Sequence, residues 1–370
     1  MITQNQIWKI YGTAFKQMTK DLLEQTGLED CILQKHHSKE ICIGIKPNLV
    51  CATPADYGAT THPEIVAGII EYLKEHGFEN LLIAEGSWVG DRTSDAYEYC
   101  GYRALCETYQ VPFVDCQKEK THEINAAGMR LQVVDVVDRI DYLINVPVLK
   151  GHCQTRITCA LKNMKGLLPN SEKRHFHQMG LHKPIAHLST VVHPDFIVVD
   201  HICGDLDFEE GGNPVVKNCI MAALDPVLTD SYVCYLMHYT PDDVPYIRMA
   251  EQLGTGTTDL DSAEIVRIGS AEDEELPRDH KVLSVAYAVD EVDSCSACYA
   301  SLIPALCRLD EEGLLSKLNE RIAIGQGHQN RTGALGVGRC TKNYDFCVMG
   351  CPPSEEKVYE ELKKYILSHS

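Results

Sequence analysis

Along the first 270 positions, continuous apolar runs alternate with amphipathic stretches. The runs at residues 41–49, 81–84, 111–114, 141–148 and 196–199 read as strands buried on both faces. Between the first two, Thr61 is placed to cap a helix, Pro63 suits its first turn, and residues 65–76 carry it to a stop at Gly77. Further helices are expected at 155–165, 227–237 and 244–253, before a strand at 265–268. This order predicts an α/β fold: an open, mostly parallel sheet with flanking helices.

The pattern changes at residues 270–279. Ala271-Glu272-Asp273-Glu274-Glu275-Leu276-Pro277 is acidic and breaks the periodicity, as a solvated linker does. The chain therefore divides into an α/β domain at 1–270 and a smaller C-terminal module at 271–370, where glycine and cysteine concentrate. At 370 residues two such units fit easily. No internal repeat is apparent.

Charge narrows the partners. Thirty-four Lys and Arg stand against 53 Asp and Glu, a formal charge of −19, with no basic run, so nucleic acid is not expected as a partner. A small anion remains admissible, because a pocket can be basic on an acidic protein. No apolar run reaches the roughly 20 residues that span a bilayer, and the first residues lack a signal pattern. The expectation is a cytoplasmic protein without a membrane partner.

In a reducing compartment the 17 cysteines do not form a disulfide framework. Cys42 and Cys219 sit in apolar strands as small core residues. The tail differs. Cys295-Ser296-Ala297-Cys298 places two thiolates on one centre, and Gly338-Arg339-Cys340 and Gly350-Cys351-Pro352-Pro353 supply two more. Proline after cysteine stiffens a cluster loop, and nearby glycines let backbone N–H groups approach the sulfurs. The expected ligands of a [4Fe–4S] cluster are Cys295, Cys298, Cys340 and Cys351. Cys347 is held in reserve, and Cys307 is read as core. Structural zinc suits four thiolates equally well. A thioredoxin-like pair and inert core cysteines are further alternatives.

Polar residues end the apolar runs of the main domain. Lys46-Pro47-Asn48 closes the first, and the segment from Asn145 to His152 closes another with Lys150-Gly151-His152. Lys162-Asn163-Met164-Lys165 and Arg174-His175-Phe176-His177 follow. Open α/β sheets bind ligands beyond the carboxyl ends of their strands. Lys150, Lys162 and His175 are candidate catalytic residues, and Lys46, Asn48, His152, Asn163 and Lys165 candidate substrate contacts. Lysine holds carboxylate or phosphate, and acts as a base when desolvated. Lys150 is read as an exposed loop residue. Gly211-Gly212 and Gly325-Gln326-Gly327 match neither dinucleotide nor P-loop patterns, so NAD and ATP are not expected.

In this order, Lys46-Pro47-Asn48-Leu49-Val50, His62-Pro63-Glu64, Val146 to His152, Leu161 to Gly166, Val199-Asp200 and Leu224-Asp225-Pro226-Val227 resemble an uncharacterised family, domain of unknown function 362, over residues 40–260. The resemblance implies the fold and, since members often carry one, an iron–sulfur module. The tail lacks the two-cluster ferredoxin spacing and is similar to a shorter form ending in Gly-Cys-Pro-Pro. The reaction is left open. An iron–sulfur-dependent oxidoreductase or lyase acting on a small anion is one reading. The others are an electron-transfer protein docking a redox partner and a zinc-stabilised binding protein.

Overall fold

The computed structural model describes residues 1–269, 275–278 and 280–369, with the backbone alone at Ser296. Most of the expected acidic linker, residues 270–274 and 279, lies outside the described residues. The chain forms two compact units, Met1–Arg174 with His182–Leu276, and His175–Leu181 with Pro277–Ser370.

The first unit is built on an eight-stranded sheet. Its strands are β1 (Gln6–Tyr11), β2 (Ile43–Pro47), β3 (Leu81–Glu85) and β4 (Phe113–Asp115). After a hairpin of β5 (Thr121–Ala126) and β6 (Met129–Val134) comes β7 (Tyr142–Val146). A small hairpin, β8 (Lys150–His152) and β9 (Arg156–Thr158), precedes β10 (Phe196–Asp205), β11 (Pro214–Ala223) and β12 (Glu264–Ile268). The order across the sheet is β12-β1-β11-β10-β7-β2-β3-β4. Only β11 runs against the others. From β2 the chain builds outward through β3 and β4, then returns to place β7 and β10 on the other side. The switch point of this doubly wound sheet therefore lies between β2 and β7.

Successive side chains of β2 alternate faces. Ile43 and Ile45 join Ile83, Ile144, Val146 and Val198 in a core that includes Ile65, Ile69 and Leu73 of the helix Pro63–Glu75. Burying each such side chain stabilises the fold by about 1.5–3 kcal/mol. Lys46, one step along from Ile45, emerges on the opposite face, in register with Asn145 of β7.

Two local expectations change. Thr61 does not cap the helix: its hydroxyl donates to Val146 O at 2.7 Å and accepts from Asn48 N at 2.8 Å. The cap position falls to His62, whose N–H and Nδ1 both lie 2.8 Å from Asp200. The helix expected at 155–165 is shorter, Ala160–Asn163 followed by a 3₁₀ turn Met164–Leu167, because Arg156–Thr158 pairs as a strand with Lys150–His152.

The second unit holds a four-stranded parallel sheet, β13 (Val289–Glu291), β14 (Ile322–Ile324), β15 (Leu335–Val337) and β16 (Phe346–Val348), in sequential order. The helices Ser296–Glu311 and Glu355–His369 pack against each other. A recurrence emerges that the sequence did not display. β14 runs through Gly325 (φ +117°) into a 3₁₀ turn at Gln326–His328, and β15 through Gly338 (φ +91°) into one at Arg339–Thr341.

Candidate functional site

At the switch point, Lys46 and Lys150 are fully buried, and Lys162 and Lys173 nearly so. Each amine is held differently. Lys46 forms an ion pair with Glu85 and donates to Pro47 O at 2.6 Å. Lys150 donates to Ala59 O at 2.5 Å and Glu209 O at 2.7 Å. Lys162 is ion-paired with Glu209 and lies 3.1 Å from Thr158 Oγ1. Lys173 donates to Gly86 O at 2.7 Å and Ser87 O at 2.8 Å. Lys165 alone in this array makes no side-chain hydrogen bond or ion pair with any described residue, and it is half-buried.

Asparagines tie the array together. Asn163 accepts from Asn48 Nδ2 at 2.9 Å and donates to Asn145 Oδ1 at 2.7 Å, while Asn145 donates to Ala160 O at 2.9 Å. Gly166 has a steric reason. A Cβ there would lie 2.3 Å from Glu85 Oε2 and 2.5 Å from Lys46 Cε, so only glycine lets the turn seat against that ion pair. Asp230 fixes the turn from behind by accepting from Ala160 N at 2.7 Å and Leu161 N at 3.2 Å.

Burial shapes the charges. It lowers Lys150 to about 8, against the pull of Glu209, and Lys173 to about 8, against Glu85. Burial and then the neighbouring Lys162 bring Lys165 down to about 7. Burial also lowers Lys46 and raises Glu85, which moves that pair towards its neutral form. For Glu209, burial works upward, but Lys162 and His152 outweigh it and hold its carboxyl well below the usual range. His152, buried and beside Lys162, is lowered to about 4 and is a neutral ring at pH 7.

The structure thus brings together Lys46, Asn48, Lys150, His152, Asn163, Lys162 and Lys165. Lys150 is not the exposed residue its loop position implied, because β8 folds it inward onto carbonyls. His175 is exposed and belongs to the second unit. Sequence reading missed Glu85, Glu209 and Lys173 as members. A cavity of about 460 Å³ lies elsewhere in the first unit, lined by Ser189, His193, Asp225 and Thr255. Its polar atoms already serve the fold: Asp225 caps the helix Pro226–Leu236, and Ser189 bonds Thr255 at 2.9 Å.

In the second unit, Cys295 precedes the helix Ser296–Glu311, Cys298 lies in its first turn, Cys340 sits in the turn after β15, and Cys351 follows β16. Burial, then Cys340 and Cys351, raise the Cys295 thiol. Burial, then Cys295, Cys351 and Cys340, push Cys298 up to about 12. Cys298 is therefore an electrostatic neighbour of the other three thiols, and Cys295 of Cys340 and Cys351. Gln326 and Gln329 each place a side-chain amide 3.6 Å from a sulfur, of Cys295 and Cys340 respectively. A Cβ on Gly338 would lie 3.4 Å from Cys298 Sγ. Cys347 faces Thr341 Oγ1 at 3.3 Å and Gly338 O at 3.4 Å. The donor set suits an iron–sulfur cluster: four thiols, amide donors to sulfur, and glycine at the closest approach. Among the described residues, no three His, Cys, Asp or Glu side chains are closed around a single-ion position.

No helix among the described residues is long and apolar enough to cross a membrane. The chain is similar to a thylakoid-associated protein of Synechocystis sp., 23% identical over 225 residues that cover 58% of this chain and 68% of the relative. It also resembles the lactate racemase apoprotein of Thermoanaerobacterium thermosaccharolyticum, with a TM-score of 0.43 and 12% identity, over 62% of this chain and 56% of the racemase. The model of the family described as domain of unknown function (DUF362) matches residues 43–235, from the start of β2 into the helix that Asp225 caps. The match takes in the whole lysine array and more than half of the chain, and the protein belongs to that family.

Proposed function

We propose that this protein is an iron–sulfur enzyme that acts on a small anionic substrate bound at the β2–β7 switch point. The observation that carries the reading is the charge balance there. Five lysines, Lys46, Lys150, Lys162, Lys165 and Lys173, share two ion-paired carboxylates, Glu85 and Glu209, with Glu210 and Asp115 as weaker neighbours of Lys150 and Lys173. Carbonyls hold Lys150 and Lys173 but neutralise nothing, so a carboxylate or phosphate would relieve the excess. Lys150 and Lys173 set the field from within the fold, and Lys165 meets the ligand.

Cys295, Cys298, Cys340 and Cys351 would hold a [4Fe–4S] cluster. Such a cluster supplies an electron or a Lewis-acid iron. All 17 cysteines are free thiols, which fits a reducing cytoplasm. Cys351 is exposed, and this favours a second reading in which a redox partner protein docks at the second unit to exchange electrons.

Anaerobic purification with iron, sulfide and zinc analysis, followed by calorimetric titration with oxalate, tests the proposal. About four iron and four sulfide per chain together with oxalate binding support it. Zinc in place of iron, or no oxalate binding, defeats it.

A further inference from the structure

The five lysines are not equivalent. Four have amines committed to carbonyl, carboxylate or hydroxyl oxygens. Lys165 sits on the turn Met164–Leu167, half-buried, with no side-chain partner among the described residues. Its position is fixed from both sides, since Gly166 seats on the Lys46–Glu85 pair and Asp230 grips the preceding backbone. Lys162 and Lys173 are its cationic neighbours, and Glu209, the carboxylate that acts on it, is ion-paired with Lys162 instead. An amine held among other cations, with no ion pair of its own, is in the arrangement that activates lysine as a nucleophile.

We infer that Lys165 is a nucleophilic amine and that the substrate class is a 2-oxo acid, whose carboxylate is held by the surrounding lysines while its carbonyl carbon meets Lys165 Nζ. This rests on the anion-site reading above and deepens it. The nitrogen lone pair adds to the carbonyl carbon and gives a carbinolamine. The two amine hydrogens then leave with the former carbonyl oxygen as water, and a C=N bond replaces C=O. A proton from solvent gives the iminium form, an electron sink for a bond on the adjacent carbon. The lowered pKa of Lys165, about 7, supplies the free amine at neutral pH.

The test is reductive trapping. Full-length protein is incubated with pyruvate at pH 7.5, reduced with borohydride, digested and mapped by mass spectrometry. The expected result is a saturable adduct on Lys165 at about ten times the yield of the average surface lysine, suppressed by oxalate and absent in Lys165→Arg. Equal labelling across surface lysines, or an undiminished pattern in Lys165→Arg, overturns the inference. Oxalate calorimetry on the same preparations separates the two claims. Oxalate bound without a Lys165 adduct removes the nucleophile and leaves the anion site, whereas no oxalate binding removes both.

Discussion

Nε2 of His152 lies 3.0 Å from Oε2 of Glu209, and the backbone decides which of them donates. Gln154 N and Thr155 N donate to His152 Nδ1 at 3.1 and 3.0 Å, so the proton of the neutral ring sits on Nε2 and points at the carboxylate. Glu209 thus accepts from His152 on one oxygen and from Lys162 on the other, while its backbone carbonyl accepts from Lys150. It is the keystone carboxylate of the array. Glu209→Gln removes the charge, keeps the shape and leaves Lys162 without its counter-ion. Because 29% of the Glu209 side chain is exposed, the expected cost is at the low end of a broken buried pair, about 3 kcal/mol. Urea denaturation measures it, with the exposed Glu79→Gln as a control that changes little.

Lys150 and Lys165 should part company when each is cut to alanine. Lys150→Ala empties a fully buried site and strands Ala59 O and Glu209 O, a loss of about 3 kcal/mol. Lys165→Ala removes no side-chain bond, so stability should stay within about 0.5 kcal/mol of wild type while oxalate affinity falls. Equal destabilisation of the two variants would show that Lys165 is structural.

Anion binding should weaken as pH rises. Lys165 titrates at about 7, and Lys150 and Lys173 at about 8, so the site is most cationic below pH 7 and sheds charge between 7 and 9. His152, at about 4, contributes no change in that window. A bound anion raises the lysine pKa values, and by linkage its binding takes up protons. Oxalate titrations in buffers of different ionisation enthalpy should show net proton uptake near pH 8. Proton release there would contradict the assignment.

The His62–Asp200 pair acts in the opposite direction. Burial disfavours the charged ring, but the carboxylate and hydrogen bond of Asp200 outweigh it and raise His62 to about 11 from 6.5. A raised histidine contributes stability that is complete below pH 6.5 and is lost as pH climbs towards 11. The stability gap between wild type and Asp200→Asn should therefore narrow from pH 6.5 to pH 10. The lysines, whose lowered values favour folding as pH rises, largely cancel in that comparison.

Much of this site could be read from residue order, because lysines and asparagines closing apolar runs have few structural reasons to be there. Lys46, Asn48, Lys150, His152, Lys162, Asn163 and Lys165 do converge. What order could not reveal is which oxygen each amine meets. Glu85 closes β3, far in sequence from the other lysine-bearing turns, and Glu209 is 47 positions from Lys162, so only the crossovers bring them to their partners. The inward fold of Lys150 depends on Arg156 at φ +65°, a left-handed residue that turns β8 into β9 where helical periodicity was expected. The recurrence at Gly325 and Gly338 leaves no mark in the sequence pattern, because three-residue strands are too short to show a period.

Cys347 and Cys298 provide the sharpest test of the second unit. Both are half-buried thiols in the cysteine-rich tail, yet Cys298 lies among Cys295, Cys340 and Cys351, while Cys347 turns to Thr341 and the carbonyl of Gly338. Substituting a cluster ligand removes one thiolate from the cage. Substituting Cys347 removes only weak sulfur hydrogen bonds, each a minor contribution. Cys298→Ser should therefore lose most of its iron and sulfide under anaerobic purification, and Cys347→Ser should retain the wild-type content. Circular dichroism on both variants guards against simple unfolding. If Cys347→Ser loses the iron while Cys351→Ser keeps it, the ligand set is Cys295, Cys298, Cys340 and Cys347. If neither Cys298→Ser nor Cys351→Ser alters the iron, these cysteines do not hold a cluster.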